Sequence, residues 1–168
     1  MQPYSQATKL LTIAAMTLFL GACAANQQSS GNGGVAVATP DVEVTDHGSM
    51  AGSQEHLNAI AGDRVHFAYD SSELSMSARS ILQAQANWLR SNSGARVILQ
   101  GHADERGTRE YNLALGERRA AAAKNYLVAL GVSPSRISII SYGKERPVAL
   151  GSNESAWAKN RRAVMVVS

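Results

Sequence analysis

Hydrophobic and polar positions follow two regimes along this chain, and the change falls near residue 62. From Leu10 to Leu20 eleven residues run without a charge, which fits the apolar stretch of an export signal and falls short of the roughly 20 needed to span a bilayer. From Ala24 to about Ile60 the chain turns to Gly, Ser, Asn, Gln, Ala and Thr, with no aromatic residue and no sustained period. That is the composition of a disordered tether, spanning roughly 35 Å root-mean-square as a coil and about 120 Å drawn straight. The alternations in Val35-Ala36-Val37 and Val42-Glu43-Val44 are brief, and Pro40 between them argues against a strand.

Beyond residue 62 strand-like and helix-like periods alternate. Arg64 to Tyr69 places Val65, Phe67 and Tyr69 on one face, as a strand does. Ser77 to Ser91 carries Ala78, Ile81, Leu82, Trp88 and Leu89 at helical spacing, with serines suited to capping at its start and Trp88 expected in the core. Asn92-Ser93-Gly94 ends that helix, and Val97-Ile98-Leu99 reads as a buried strand. A longer helix is expected from Arg109 to Leu130, with Leu113, Gly116, Ala120, Ala123, Leu127 and Leu130 as its buried stripe and Gly131 as its stop. Gly116 costs about 1 kcal/mol of helix propensity, which predicts close packing or ligand access there. Ile137 to Ser141 forms a third strand, Glu154 to Lys159 a short helix and Ala163 to Val167 the last strand. The order is β-α-β-α-β-(α)-β, an α+β domain with a mixed four-stranded sheet and helices packed on it.

Charge divides the chain at the same place. Residues 1–62 hold one basic residue, Lys9, against four acidic ones, whereas 63–168 hold 15 against nine. A basic domain suits an anionic polymer, and export leaves the cell wall or acidic protein surfaces as partners and excludes nucleic acid. The sole cysteine, Cys23, follows Leu20-Gly21-Ala22 and has no disulfide partner in the chain. This segment resembles a bacterial lipobox, which implies lipid transfer to Cys23 and cleavage after Ala22. Two or three acyl chains, at about 0.8 kcal/mol per buried CH₂, hold a soluble domain on a membrane. Ala24 in place of an aspartate favours the outer membrane by analogy with lipoprotein sorting. The expected organisation is a signal peptide over 1–22, a lipidated periplasmic tether over 23–61 and a folded domain over 62–168.

The densest polar cluster is Gly101-His102-Ala103-Asp104-Glu105-Arg106-Gly107-Thr108, between a buried strand and the long helix. Such loops commonly build sites because a rigid scaffold positions them. Asn112, Gly116 and Arg119 lie at helical spacing on one face turned back toward this loop. Asp104 with Arg106 or Arg119 would serve equally as a structural ion pair. His102 is read as a loop histidine satisfied by hydrogen bonds, since His47, His56, His66 and His102 show no compact metal spacing. A solvated basic face is the plain alternative for Arg118 and Arg161. Asp104 and Glu105 lie side by side and do not present the opposed carboxylates of a glycosidase, and no Ser/His/Asp order, phosphate loop or HExxH element appears. No enzyme, metal site or cofactor other than the lipid on Cys23 is expected. The rival classes are a wall hydrolase using Asp104 and Glu105, and an adaptor that docks an acidic protein.

With Glu110-Tyr111-Asn112, Leu115-Gly116-Glu117-Arg118-Arg119-Ala120, Ser141-Tyr142-Gly143-Lys144-Glu145-Arg146-Pro147 and Lys159-Asn160-Arg161-Arg162-Ala163, that cluster resembles the family sharing the C-terminal domain of outer-membrane protein A, and within it the lipoproteins of the Tol system. The match runs from about Gly62 to Ser168. The resemblance implies an OmpA-like fold and non-covalent binding of peptidoglycan through its diaminopimelate side chain. It implies Asp104 as acceptor for the ligand ammonium, Arg119 as clamp for its carboxylate, and Asp70, Asn112 and Arg162 as further contacts. The chemistry fits a zwitterionic end-group, because a guanidinium fork grips a carboxylate bidentately where lysine cannot, and the helix start near Thr108 offers backbone donors. The segment His66-Phe67-Ala68-Tyr69-Asp70-Ser71-Ser72 follows the family pattern more loosely than the central loop. Alanine at Asp104 or Arg119 is expected to abolish wall binding without changing the fold. The resemblance also implies an outer-membrane location facing the periplasm, Tol-system partners including the periplasmic β-propeller protein, and a part in envelope constriction during division.

Overall fold

The computed structural model describes residues 51–168. The expected export signal, Cys23 and the expected tether through residue 50 lie outside the described residues. The elements run α1 (Gln54–Ile60), β1 (Arg64–His66), α2 (Met76–Ser91), β2 (Val97–His102), α3 (Arg109–Ala129), a single 3₁₀ turn (Pro134–Arg136), β3 (Ile137–Gly143), α4 (Glu154–Asn160) and β4 (Arg162–Val167). The sheet order is β1-β4-β2-β3, with β2 and β3 parallel and β4 antiparallel to both β1 and β2. The parallel pair is joined through α3, the crossover that parallel strands require.

Burial alternates along β1, over 97–100 of β2 and over 163–166 of β4, so one sheet face carries Val65, Val97, Leu99, Ala163 and Met165 into the core. Leu82, Ala86 and Leu89 of α2 and Ala120, Ala123 and Leu127 of α3 meet them there. Trp88 belongs to this core, as its helical spacing predicts, and its indole N–H donates to His56 Nδ1 at 3.0 Å. Each fully buried Leu contributes about 1.5–3 kcal/mol by leaving water. Ser75 and Thr108 cap α2 and α3 through their hydroxyls. Arg136 donates to the carbonyls of Leu89, Asn92 and Ala95, which ties off the C-terminal end of α2.

Two expectations change. The segment up to Ile60 reads as tether in the sequence, yet α1 stands at Gln54–Ile60, capped by Ser53 and burying Leu57 completely. Its place follows from β1 being only three residues long. The edge of β4 beyond β1 is left open, and the Gln54 amide fills it by donating to Met165 O and accepting from Val167 N. The buried face of α3 is also rotated from the expected stripe. Asn112, Leu115 and Arg119 are buried with Gly116, Ala120, Ala123 and Leu127, while Leu113 is about half exposed. Polar side chains occupy the first half of this face because it forms a pocket wall there and joins the core only further along.

Candidate functional site

Gly101 and Gly116 set the distance between β2 and α3. A Cβ at Gly101 would lie 1.8 Å from Gly116 O, and one at Gly116 would lie 2.4 Å from Ser141 Oγ. Backbone therefore meets backbone, which is the close packing that a glycine within a helix predicts. The β2–β3 register shifts at Gly101/His102, and the chain leaves the sheet there into the polar loop. Gly107, at φ 95°, turns it toward the Thr108 cap of α3.

Asp104 is buried in this loop. Its Oδ1 accepts from the Arg106 backbone N–H at 3.1 Å and from Arg106 Nε at 3.2 Å, and its Oδ2 accepts from Arg106 Nη2 at 2.6 Å and Arg161 Nη1 at 3.4 Å. Burial alone would raise its carboxyl pKa, but the bonds from Arg106 outweigh it and hold the group below the usual carboxylate range. The Arg106 guanidinium lies between two rings, 3.9 Å from the centre of Tyr69 and 4.0 Å from that of Trp157. Glu105 fixes Trp157 by accepting from its indole N–H at 3.0 Å.

Arg119 is completely buried. It donates through Nε to Ser71 O at 2.8 Å, through Nη1 to His102 O at 2.8 Å and through Nη2 to Ala68 O at 3.0 Å. Loss of water pushes this guanidinium down to about 10. Three of its five N–H groups are thus committed, and one remains on each terminal nitrogen. By tying the turn after β1 to the end of β2, Arg119 is a structural post as well as a pocket wall. The expectation that its alanine variant leaves the fold unchanged is therefore replaced by one of lost stability, since the buried carbonyl of His102 and the part-buried ones of Ser71 and Ala68 would lose their donor.

The sequence candidates separate into two groups. Asp70, Asp104, Asn112 and Arg119 line one cavity of about 540 Å³, with Tyr69, Arg106 and Tyr111 at its rim. Asn112 donates to Arg106 O at 2.9 Å and so fixes the loop. Asp70 lies beyond the end of β1 in left-handed backbone, φ 51°, and accepts from the Tyr111 hydroxyl. Of the carboxylates lining this cavity it is the exposed one. Arg162 is not among the lining residues; its Nη1 and Nη2 donate to Asn160 O and Arg146 O, and its Nε has no partner.

Two further readings are corrected. Arg161 is buried rather than solvated, and it bonds Phe67 O, Asp104 and Glu154. His102 is buried at the end of β2 with an unpartnered Nδ1, stacked near Tyr142; burial first, then the charges of Arg162 and Arg146, push it down to about 4. The sequence reading passed over Arg106, Tyr69 and Trp157 as a unit. The available signal is slight: Arg106 directly follows Asp104-Glu105, while Tyr69 continues the Val65 and Phe67 alternation and Trp157 lies inside α4. Among the described residues no His/Cys/Asp/Glu group is arranged to hold a metal ion.

A mixed sheet whose strand exit and following helix enclose a charged, non-metallic pocket defines a ligand-binding domain, and comparison with known proteins gives its kinship. Residues 66–161 match the OmpA family. The chain is 47% identical over 143 residues to the peptidoglycan-associated lipoprotein of Mesorhizobium japonicum, covering 85% of this chain and 79% of that protein. It is 46% identical over 150 residues to that of Pseudomonas aeruginosa, covering 88% and 89%. The crystal structure of the peptidoglycan-associated lipoprotein from Burkholderia pseudomallei superposes with a TM-score of 0.62 at 44% identity, covering 63% of this chain and 90% of that one. The chain belongs to the OmpA family and, within it, to the peptidoglycan-associated lipoproteins. The C-terminal domain of Helicobacter pylori MotB shares the fold, with a TM-score of 0.59 at 21% identity, covering 63% of this chain and 84% of that one.

Proposed function

We propose that this protein binds peptidoglycan non-covalently by its diaminopimelate side chain and, through lipid on Cys23, tethers the outer membrane to the wall. Its partners on this reading are the Tol proteins, the periplasmic β-propeller among them, and its role is envelope integrity and constriction of the outer membrane at division. The observation that carries the reading is that Asp104 and Arg119, fifteen positions apart, border one solvent-open cavity together with Asp70 and Asn112. A zwitterionic end-group needs an anion and a cation at fixed separation. Asp104 with Asp70 supplies the first, and the two uncommitted N–H groups of Arg119 supply a fork for the second. The names of the relatives support peptidoglycan as the polymer. The basic balance of residues 63–168 suits an anionic wall.

Sedimentation of the full-length protein with purified sacculi, with no other protein present, tests the reading. Wild type is expected in the pellet and Asp104→Ala in the supernatant with an unchanged circular dichroism spectrum. Pelleting of a folded Asp104→Ala protein at the wild-type level rejects the site.

A further inference from the structure

We propose that Arg106 is an internal stand-in for the ligand's ammonium: it plugs the anionic subsite of the free protein and must be exchanged for a primary amine when ligand binds. The inference rests on the peptidoglycan reading and assigns a residue that determines which chemical group the site accepts. A carboxylate offers about four acceptor positions, and those of Asp104 are filled by three donors from Arg106 and one from Arg161. A ligand cation finds no vacant acceptor on Asp104 while the Arg106 side chain stays in place.

Arg106 is built to be exchanged, whereas Arg161 is built to stay. The Arg161 guanidinium is buried, bonded to Phe67 O and held by Glu154 at 2.5 Å. The Arg106 side chain retains 29% of its exposure, and its remaining close partners are the faces of Tyr69 and Trp157. Its withdrawal leaves a slot with an aromatic face on each side and the Asp104 carboxylate between them, a setting that attracts any compact cation. An ammonium restores the charge balance that the departing guanidinium removes. A ligand without an amine leaves Asp104 buried and underpaired, so it is rejected.

The test is a titration of the full-length protein with free meso-diaminopimelate, with pimelate as the amine-free control, while NMR follows the side-chain Nε–H signals of arginine. In the free protein the Arg106 Nε–H is expected to be shielded from exchange with water. Saturating diaminopimelate should bring it to a solvent-exposed position while Arg161 stays unchanged, and pimelate should do neither. Arg106→Gln is expected to bind diaminopimelate about tenfold more tightly, because the plugged state no longer reduces the competent fraction. Binding that leaves the Arg106 signal unmoved, together with no gain in Arg106→Gln, overturns the plug and leaves the peptidoglycan reading standing. Failure of the wild-type protein to bind either diaminopimelate or sacculi overturns both.

Discussion

The pocket wall at Arg119 and the start of β4 at Arg162 each hold a buried guanidinium that loss of water pushes down to about 10. At the wall every guanidinium nitrogen has a carbonyl partner, the three carbonyls come from two separate chain segments, and a cavity with two carboxylates opens beside them. At the start of β4 only two carbonyls, those of Asn160 and Arg146, are bound, Nε has none, and Arg64 adds a repelling charge. A buried cation marks a ligand site when its surroundings supply both a reason to be held rigid and an opening. Depth and charge alone do not separate the two regions.

Removal of each arginine tests the contrast most severely. Arg119→Ala leaves the buried carbonyl of His102 and the part-buried ones of Ala68 and Ser71 without their donor and empties the space of a completely buried side chain, and should lower the unfolding free energy by about 3 kcal/mol in urea titrations. Arg162→Ala frees two carbonyls and removes an underpaired cation, so about 1–2 kcal/mol is expected, with wall binding retained. Equal losses, or loss of wall binding in a folded Arg162→Ala protein, would break the distinction. Gly101→Ala sharpens it next. A methyl group 1.8 Å from Gly116 O forces α3 away from β2 and should cost about 3 kcal/mol by overpacking. Since Arg119 rides on α3, wall binding per folded molecule should fall as well.

His102 belongs to both regions, because its carbonyl accepts from Arg119 and its ring feels the charge of Arg162. The fold keeps the ring neutral down to about pH 4, whereas the unfolded chain takes up its proton near 6.5. The unfolded state therefore binds more protons between those values, so stability is complete above pH 6.5 and falls as the pH drops toward 4, by roughly 3 kcal/mol at most. Urea unfolding across this range should show the slope in wild type and lose it in His102→Phe. In Arg162→Gln the slope should end at a higher pH, since removing the cation lets the ring protonate more readily. A wild-type profile flat between pH 4 and 6.5 would contradict this assignment.

The sheet order and the pocket differ in how far the sequence displays them. Asp104, Asn112 and Arg119 are legible because a loop at a strand exit and a helical spacing of seven residues leave little freedom in where they meet. Arg161 and Arg162 are neighbours entering β4, where successive residues turn to opposite sides, and composition does not say which of the two faces the loop. Helix α1 is short, and Leu57 and the Gln54 amide gain their energy from β4 and α2, contacts that local pattern does not encode. Its visible trace is the Ser53 cap ahead of Leu57 and Ile60. The rotamer of Arg106 between Tyr69 and Trp157 depends on three segments far apart in the chain, and only the folded structure brings them together. His102 keeps a buried, unpartnered nitrogen because it ends β2 beneath Tyr142, a cost that a pattern of polar residues does not reveal.

The central claim is that the cavity between Asp104 and Arg119 grips the diaminopimelate end of the wall peptide. Titrating meso-diaminopimelate into the full-length protein, with the Asn112 side-chain amide as reporter, measures it most directly. Saturable shifts at Asn112 that disappear in an Asp104→Asn protein shown to be folded by its amide spectrum are the predicted result. Undiminished binding in Asp104→Asn, or shifts confined to the separate cavity beside Arg109 and Tyr142, would contradict it.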